Sequence, residues 1–167
     1  MNQGGYLTRY CLIAPVAKTA RDLSATVFPE YTVRLNQTVG YVDLRIDLGP
    51  VRIAAEAELG TKRLDNDLLK AIALPAHLLL IVVPNWTTCK AARKAMARIL
   101  ERRRRSGLTA PTDPVILILP VGPARQQLGQ LNDFVRRSLP DLSQNPKNIP
   151  ASLAQALAGP TPERSKS

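Results

Sequence analysis

The chain has 167 residues, 45% of them hydrophobic but only 4% aromatic, which is enough for one domain with an aliphatic core. Lys and Arg number 23 against 13 Asp and Glu, a formal net charge of +10 that favours a polyanionic partner, nucleic acid before membrane. Cys11 and Cys89 are too few and too far apart for a metal motif or a disulfide framework, and no apolar run reaches the length of a membrane span; a cytoplasmic protein without a secretory leader is expected.

Residues 1–14, with Gly4-Gly5 and the short apolar run from Tyr10 to Ala14, predict no element. The spacing of Val16, Ala20, Leu23 and Val27 predicts a first helix that Pro29 stops. YTVRL at 31–35 predicts a strand, and 39–59 predicts two more, joined at Gly49-Pro50. A helix with Thr61 or Asp65 as cap and an apolar face of Leu64, Leu68, Ala71 and Ile72 should end at Pro75. LLLIVV at 78–83 is continuous, the pattern of a central strand buried on both faces and parallel to a neighbour. A long helix capped by Thr87 or Thr88 carries the stripe Thr88, Ala91, Ala92, Ala95, Met96, Ile99 and Leu100. VILIL at 115–119 predicts another core strand. Leu128, Leu131, Val135 and Leu139 predict a helix ended by Pro140, and 151–158 a short last one. The expected organisation is one domain over 1–158 and a disordered tail over 159–167.

The hairpin carries the chemistry. Val42, Leu44, Ile46 and Leu48 share one face of its first strand, and Ile53, Ala55, Ala57 and Leu59 the same face of the second. A two-residue turn with Gly49 at positive φ sets Leu48 against Val51. Counting outward, Asp47 meets Arg52 and Asp43 meets Glu56, the latter a non-hydrogen-bonded pair with Cα atoms about 4.5 Å apart. Glu58 lies one step further on the same face. Like charges placed opposite each other destabilise a sheet, so Asp43 and Glu56 need a compensator, and a divalent cation is the simplest. The alternative is a solvated acidic face interleaved with Arg45 and Arg52, which accounts for Asp47 but not for Asp43 with Glu56.

With the order helix, three strands, helix, strand, helix, strand, helix, the acidic hairpin resembles the PD-(D/E)XK nuclease superfamily. The motif residues are Asp43 in VDLRI and Glu56-Ala57-Glu58 in AAEAEL; Glu58 stands where most of that family has Lys, and Val42 where it often has Pro. The resemblance implies an α/β, restriction-endonuclease-like three-layer fold with a mixed central sheet, and hydrolysis of DNA phosphodiester bonds. Its metal, Mg²⁺ or Mn²⁺, would be held by Asp43, Glu56 and Glu58, with the Ala57 carbonyl a further ligand. It implies a basic residue facing the site from the next helix, for which Lys70 matches best and Lys62 second. It also implies a homodimer, as for members that cut both strands of a duplex.

Between Asn85 and Gly107 eight basic residues face one acid, Glu101, a net +7 of the chain's +10. Arg93, Lys94, Arg98, Arg102, Arg103, Arg104 and Arg105 are the expected phosphate-backbone contacts, to DNA before RNA. The same features allow a non-catalytic nucleic-acid-binding subunit with this fold, or a protein-interaction module docking an acidic partner. His77 is expected to be structural and Trp86 to pack at a strand end. No nucleophile elbow or phosphate-cradling glycine loop is present, which argues against hydrolase triads and nucleotide-binding folds.

Overall fold

A computed structural model of the chain describes residues 3–158. Five strands form one mixed sheet in the order β1-β2-β3-β4-β5. β1 (Thr26–Leu35), β2 (Thr38–Leu48) and β3 (Val51–Ala57) make an antiparallel meander; β4 (Leu78–Val83) and β5 (Val115–Pro120) run parallel to β3. The helices are α1 (Gln3–Tyr6), continued by a π-helix (Leu7–Ile13) and α2 (Ala14–Asp22), then α3 (Leu64–Ala73), α4 (Trp86–Arg105), α5 (Val121–Gln144) and α6 (Ile149–Leu157).

Both faces of the sheet are covered. The π-helix, α2, α5 and α6 pack on Leu44, Ile46, Ile53, Leu78, Leu80 and Val82, while α3 and α4 pack on Ala54, Leu79, Ile81 and Val83. β4 alternates its side chains between these two cores and is buried at every position, which is why its sequence reads as an unbroken apolar run. The α/β class and the expected element order therefore hold. No helix among the described residues is long and apolar enough to cross a membrane.

Several boundaries differ from expectation, each for a local reason. The unassigned start of the chain is helical from Gln3 and buries Leu12 and Ile13 on the sheet. The first helix ends at Asp22 rather than Pro29, because Ser24 takes φ +64° and the Ala25 N–H bonds Ala20 O, a left-handed stop. Val27 is thus a strand residue. Pro29 lies inside β1, which an edge strand tolerates because no neighbour needs the missing N–H. The cap of α4 is Asn85, whose Oδ1 accepts from Thr88 N at 2.8 Å, rather than Thr87 or Thr88. α5 runs through Pro140 to Gln144, anchored beyond it by buried Leu142. The expected tail at 159–167 lies outside the described residues.

The hairpin register holds where the ladder is formed: Leu48 faces Val51, Asp47 faces Arg52 and Leu44 faces Ala55, with Gly49 at φ +57°. Beyond Leu44 the two strands part. Val42 packs with α3 and α4, whereas Leu44, two residues on, packs in the opposite core, so the expected common face is broken at Asp43. On β1 the residue in register with Asp43 is Glu30, whose φ of +50° marks the same bend. Past this point the β1–β2 hairpin curls over α3, and Gly40 is where a Cβ would lie 2.9 Å from Leu35 Cδ1 and 3.5 Å from Lys70 Cδ.

Candidate functional site

The gap opened between β2 and β3 is filled by carboxylates. Where ladder bonds would continue, Asp43 N donates to Glu56 Oε2 at 3.3 Å and Ala57 N donates to Asp43 Oδ2 at 2.9 Å. The expected Asp43–Glu56 neighbourhood therefore exists, but as a side-chain-to-backbone exchange instead of a regular cross-strand pair. Glu58, just past β3, keeps close to the sheet through its N–H, which bonds Val82 O at 2.9 Å.

Lys70 enters from α3. Its Nζ stands 2.7 Å from Glu56 Oε1 and 3.0 Å from Asp67 Oδ1, and it donates to Tyr41 O at 3.1 Å. Two ion pairs and one hydrogen bond thus hold the ammonium inside the cluster. Asp67, which sequence reasoning missed, is on the same helix face three residues before Lys70; that spacing was the available signal. Glu56 and Asp67 are each only 1% exposed. Lys62 remains exposed and, with Arg63, borders Glu58 across a cavity of about 350 Å³ also lined by Gly5, Thr8 and Gly60. A neighbouring cavity of about 280 Å³ reaches Asp43 between Arg9, Ile13, Pro29 and Glu30. Gly5 and Thr8 border both, so the N-terminal helical stretch, which carried no expectation, forms a wall of the site.

Charge is out of balance here: of four neighbouring carboxyls, two pair with the Lys70 ammonium, and Arg63 acts on Glu58. Burial, then the nearby Asp67 carboxylate, pushes Glu56 up to about 9 against the opposing pull of Lys70. Burial and Asp67 likewise push Glu58 up to about 8, although Arg63 opposes the shift. Burial raises Asp67 as well, and its two carboxylate neighbours outside the Lys70 pair divide: Asp43 raises it while the contact with Glu58 lowers it. Asp67 Oδ2 is buried with no fixed donor facing it, and the Glu58–Asp67 contact becomes a hydrogen bond only when one carboxyl carries a proton. Lys70 is raised by Glu56 and Asp67, which outweigh the lowering that burial alone would produce.

Hard oxygen donors in excess of cations suit Mg²⁺ or Mn²⁺ chemically. Geometrically, no group of three or more His, Cys, Asp or Glu side chains among the described residues could hold a metal ion, and Glu56 already has one oxygen against Lys70 and the other on Asp43 N. The donors bordering cavities are Asp43 and Glu58. These two carboxylates border separate cavities that share Gly5 and Thr8 as walls, and each offers the oxygen donors that Mg²⁺ takes alongside water and phosphate.

The remaining expectations fall as follows. Asp47 is neutralised mainly by Arg45, at 2.7 Å, with Arg52 Nε at 3.5 Å; Arg45 is itself stacked over Phe28 and Tyr31. His77 is structural: its Nδ1 accepts from Arg52 N at 2.9 Å, and burial together with Arg52 lowers its pKa. Trp86 does not pack at a strand end but is 54% exposed. Arg93 is exposed but anchored, with Nε and Nη2 at 3.3 and 3.0 Å from Ile118 O. Lys94, Arg98 and Arg102 are exposed, Arg103 is half-buried and reaches Leu108 O, and Arg104 and Arg105 are held by Glu101. α4 starts where β4 ends, beside Glu58, and runs back about 30 Å, so Arg102 to Arg105 sit at the far end of the sheet from the acidic cluster. A larger cavity, about 560 Å³, lies between α5 and α6 and touches none of these residues. No family model, curated protein or solved structure matches the chain.

Proposed function

We propose that the protein is a metal-dependent nuclease with a restriction-endonuclease-like fold that hydrolyses phosphodiester bonds in DNA. The observation that carries this reading is the clustering of Asp43, Glu56, Glu58 and Asp67, the second and fourth of them paired with Lys70, at the carboxyl end of parallel strands and beside open cavities. Asp43 and Glu58 would hold Mg²⁺ or Mn²⁺, which when bound polarises the scissile phosphate and lowers the pKa of a bound water.

The chain's own residues then divide the work. Ala57 N fixes the Asp43 carboxylate, and Lys70 holds Glu56, which in turn receives Asp43 N; Lys70, buried between Glu56, Asp67 and Tyr41 O, is a positioning residue. Lys62 and Arg63, on the rim beside Glu58, are the cations that face charge developing on phosphorus. Glu58 stands on the rim beside Lys62 and Arg63, where its carboxylate would complete the oxygen ligands of the metal. A homodimer would present two such sites to a duplex.

A non-catalytic nucleic-acid-binding role has one specific observation in its favour: Glu56 is buried to 1% exposure against Lys70. Metal binding and cleavage separate the two readings. Mn²⁺ at a hundredfold excess over its Kd should stabilise the protein by about 2.7 kcal/mol in thermal unfolding. Asp43→Ala and Glu58→Ala should abolish that gain together with cleavage of plasmid and single-stranded DNA. Absence of both effects in the parent protein defeats the nuclease reading and leaves the binding role.

A further inference from the structure

We infer that the face of α4 running from Trp86 through Lys90, Lys94, Arg98 and Arg102 binds single-stranded nucleic acid, with Trp86 stacking on a base at the end nearest the acidic cluster. This rests on the nucleic-acid part of the reading above but not on cleavage.

The five residues recur every fourth position, so on a 3.6-residue helix they form a row about 24 Å long that winds through about 160° from Trp86 to Arg102. The buried side of α4 is Cys89, Ala92, Met96 and Ile99, which places Lys94 opposite it and leaves Trp86 and Arg102 on the two flanks of the exposed surface, all of the row being exposed. Among the described residues none of Lys90, Lys94, Arg98 and Arg102 has an ion-pair partner. The helix's one acid, Glu101, is occupied by Arg104 and Arg105 at 2.8 and 2.9 Å. Four uncompensated cations in a line complement a polyanion, and one that can follow a line.

Trp86 selects among polyanions. The Arg93 guanidinium lies 5.7 Å from its ring centroid and is itself anchored on Ile118 O, so one face of the indole is backed while the residue stays 54% exposed. A rigid aromatic with a free face stacks on a nucleobase only where that base is not already stacked in a duplex, and such contacts are insensitive to sequence. Trp86 begins α4, three residues beyond the end of β4, the strand whose Val82 O receives Glu58 N, so the stacked base enters at the cluster's edge of the sheet. The sequence held the signal, Trp86 four residues before Lys90, but only burial separates a packed indole from a presented one.

Trp86 is the chain's only tryptophan, so its fluorescence reports the contact directly. A titration with oligo(dT) in EDTA, where no cleavage occurs, should quench it, and the same oligonucleotide in a duplex should bind more weakly with little quenching. Trp86→Ala should weaken oligo(dT) binding about tenfold or more, measured by anisotropy of a labelled strand, and Trp86→Phe should recover most of it. The dependence of log K on log salt should have a slope of about −2.8 for four neutralised phosphates, falling by about half in Lys94→Ala/Arg98→Ala. Preference for duplex, an unquenched indole on oligo(dT), or a salt slope unmoved by the double substitution overturns the inference. Binding of poly-glutamate but not oligo(dT) overturns it in favour of an acidic protein partner. Quenching without any metal-dependent cleavage leaves it standing while the nuclease reading falls.

Discussion

Replacing Glu56 by glutamine, Glu56→Gln, should change how stability depends on pH. Glu56 is buried to 1% exposure, and its carboxyl is raised to about 9 in the fold from 4.5 in an exposed carboxyl. Between those values the native state binds a proton that the unfolded state does not. Stability is therefore fully present below about pH 4.5 and is lost as pH rises toward 9, by about 1.4 kcal/mol per unit. From pH 5 to pH 8 the loss is about 4 kcal/mol, a large share of the roughly 5–15 kcal/mol typical of a domain. The amide of the variant cannot ionise, so the substitution should be neutral or mildly destabilising near pH 5, where the Lys70 contact is weakened, and stabilising by pH 8. Urea unfolding of parent and variant from pH 5 to pH 9 in EDTA reads the difference, in which the titration of the remaining charges cancels. A parent-minus-variant difference that stays flat or rises over that range would refute the assignment of Glu56 as a strained buried acid.

Lys70→Met should destabilise by about 3 kcal/mol at pH 8, because it takes the cation from Asp67 and the donor from Tyr41 O, and by more toward pH 9, where Glu56 would ionise without its partner; denaturant titration at the two pH values gives both numbers. Gly49→Ala should cost about 1–2 kcal/mol, since φ is +57° and the added Cβ would also sit 3.2 Å from Val135 Cγ1; a thermal shift below about 2 °C would show that the turn relaxes. Leu80→Ala, at the centre of β4, should cost about 2–5 kcal/mol by urea unfolding with the fold retained, as for a cavity in an aliphatic core.

Periodicity alone was enough for the order of the elements and for the hairpin register, because a two-residue turn with one glycine at positive φ determines every pair outward from Leu48 and Val51. It was also enough for the central place of LLLIVV, since an unbroken apolar run must be covered on both sides. The partners of the acidic residues were another matter. Nothing local in VDLRI tells that β2 leaves β3 beyond Leu44, that Asp43 and Glu56 trade backbone N–H groups, or that Lys70 reaches Glu56 from the following helix. Asp67 looked like an ordinary first-turn acid, and Arg93 looked like one more surface cation until β5 brought Ile118 O beneath it. Sequence patterns report which face a residue occupies within its own element. Which charges end up sharing one dry space depends on how separate elements bend over one another, and that was decided only when the β1–β2 hairpin closed over α3.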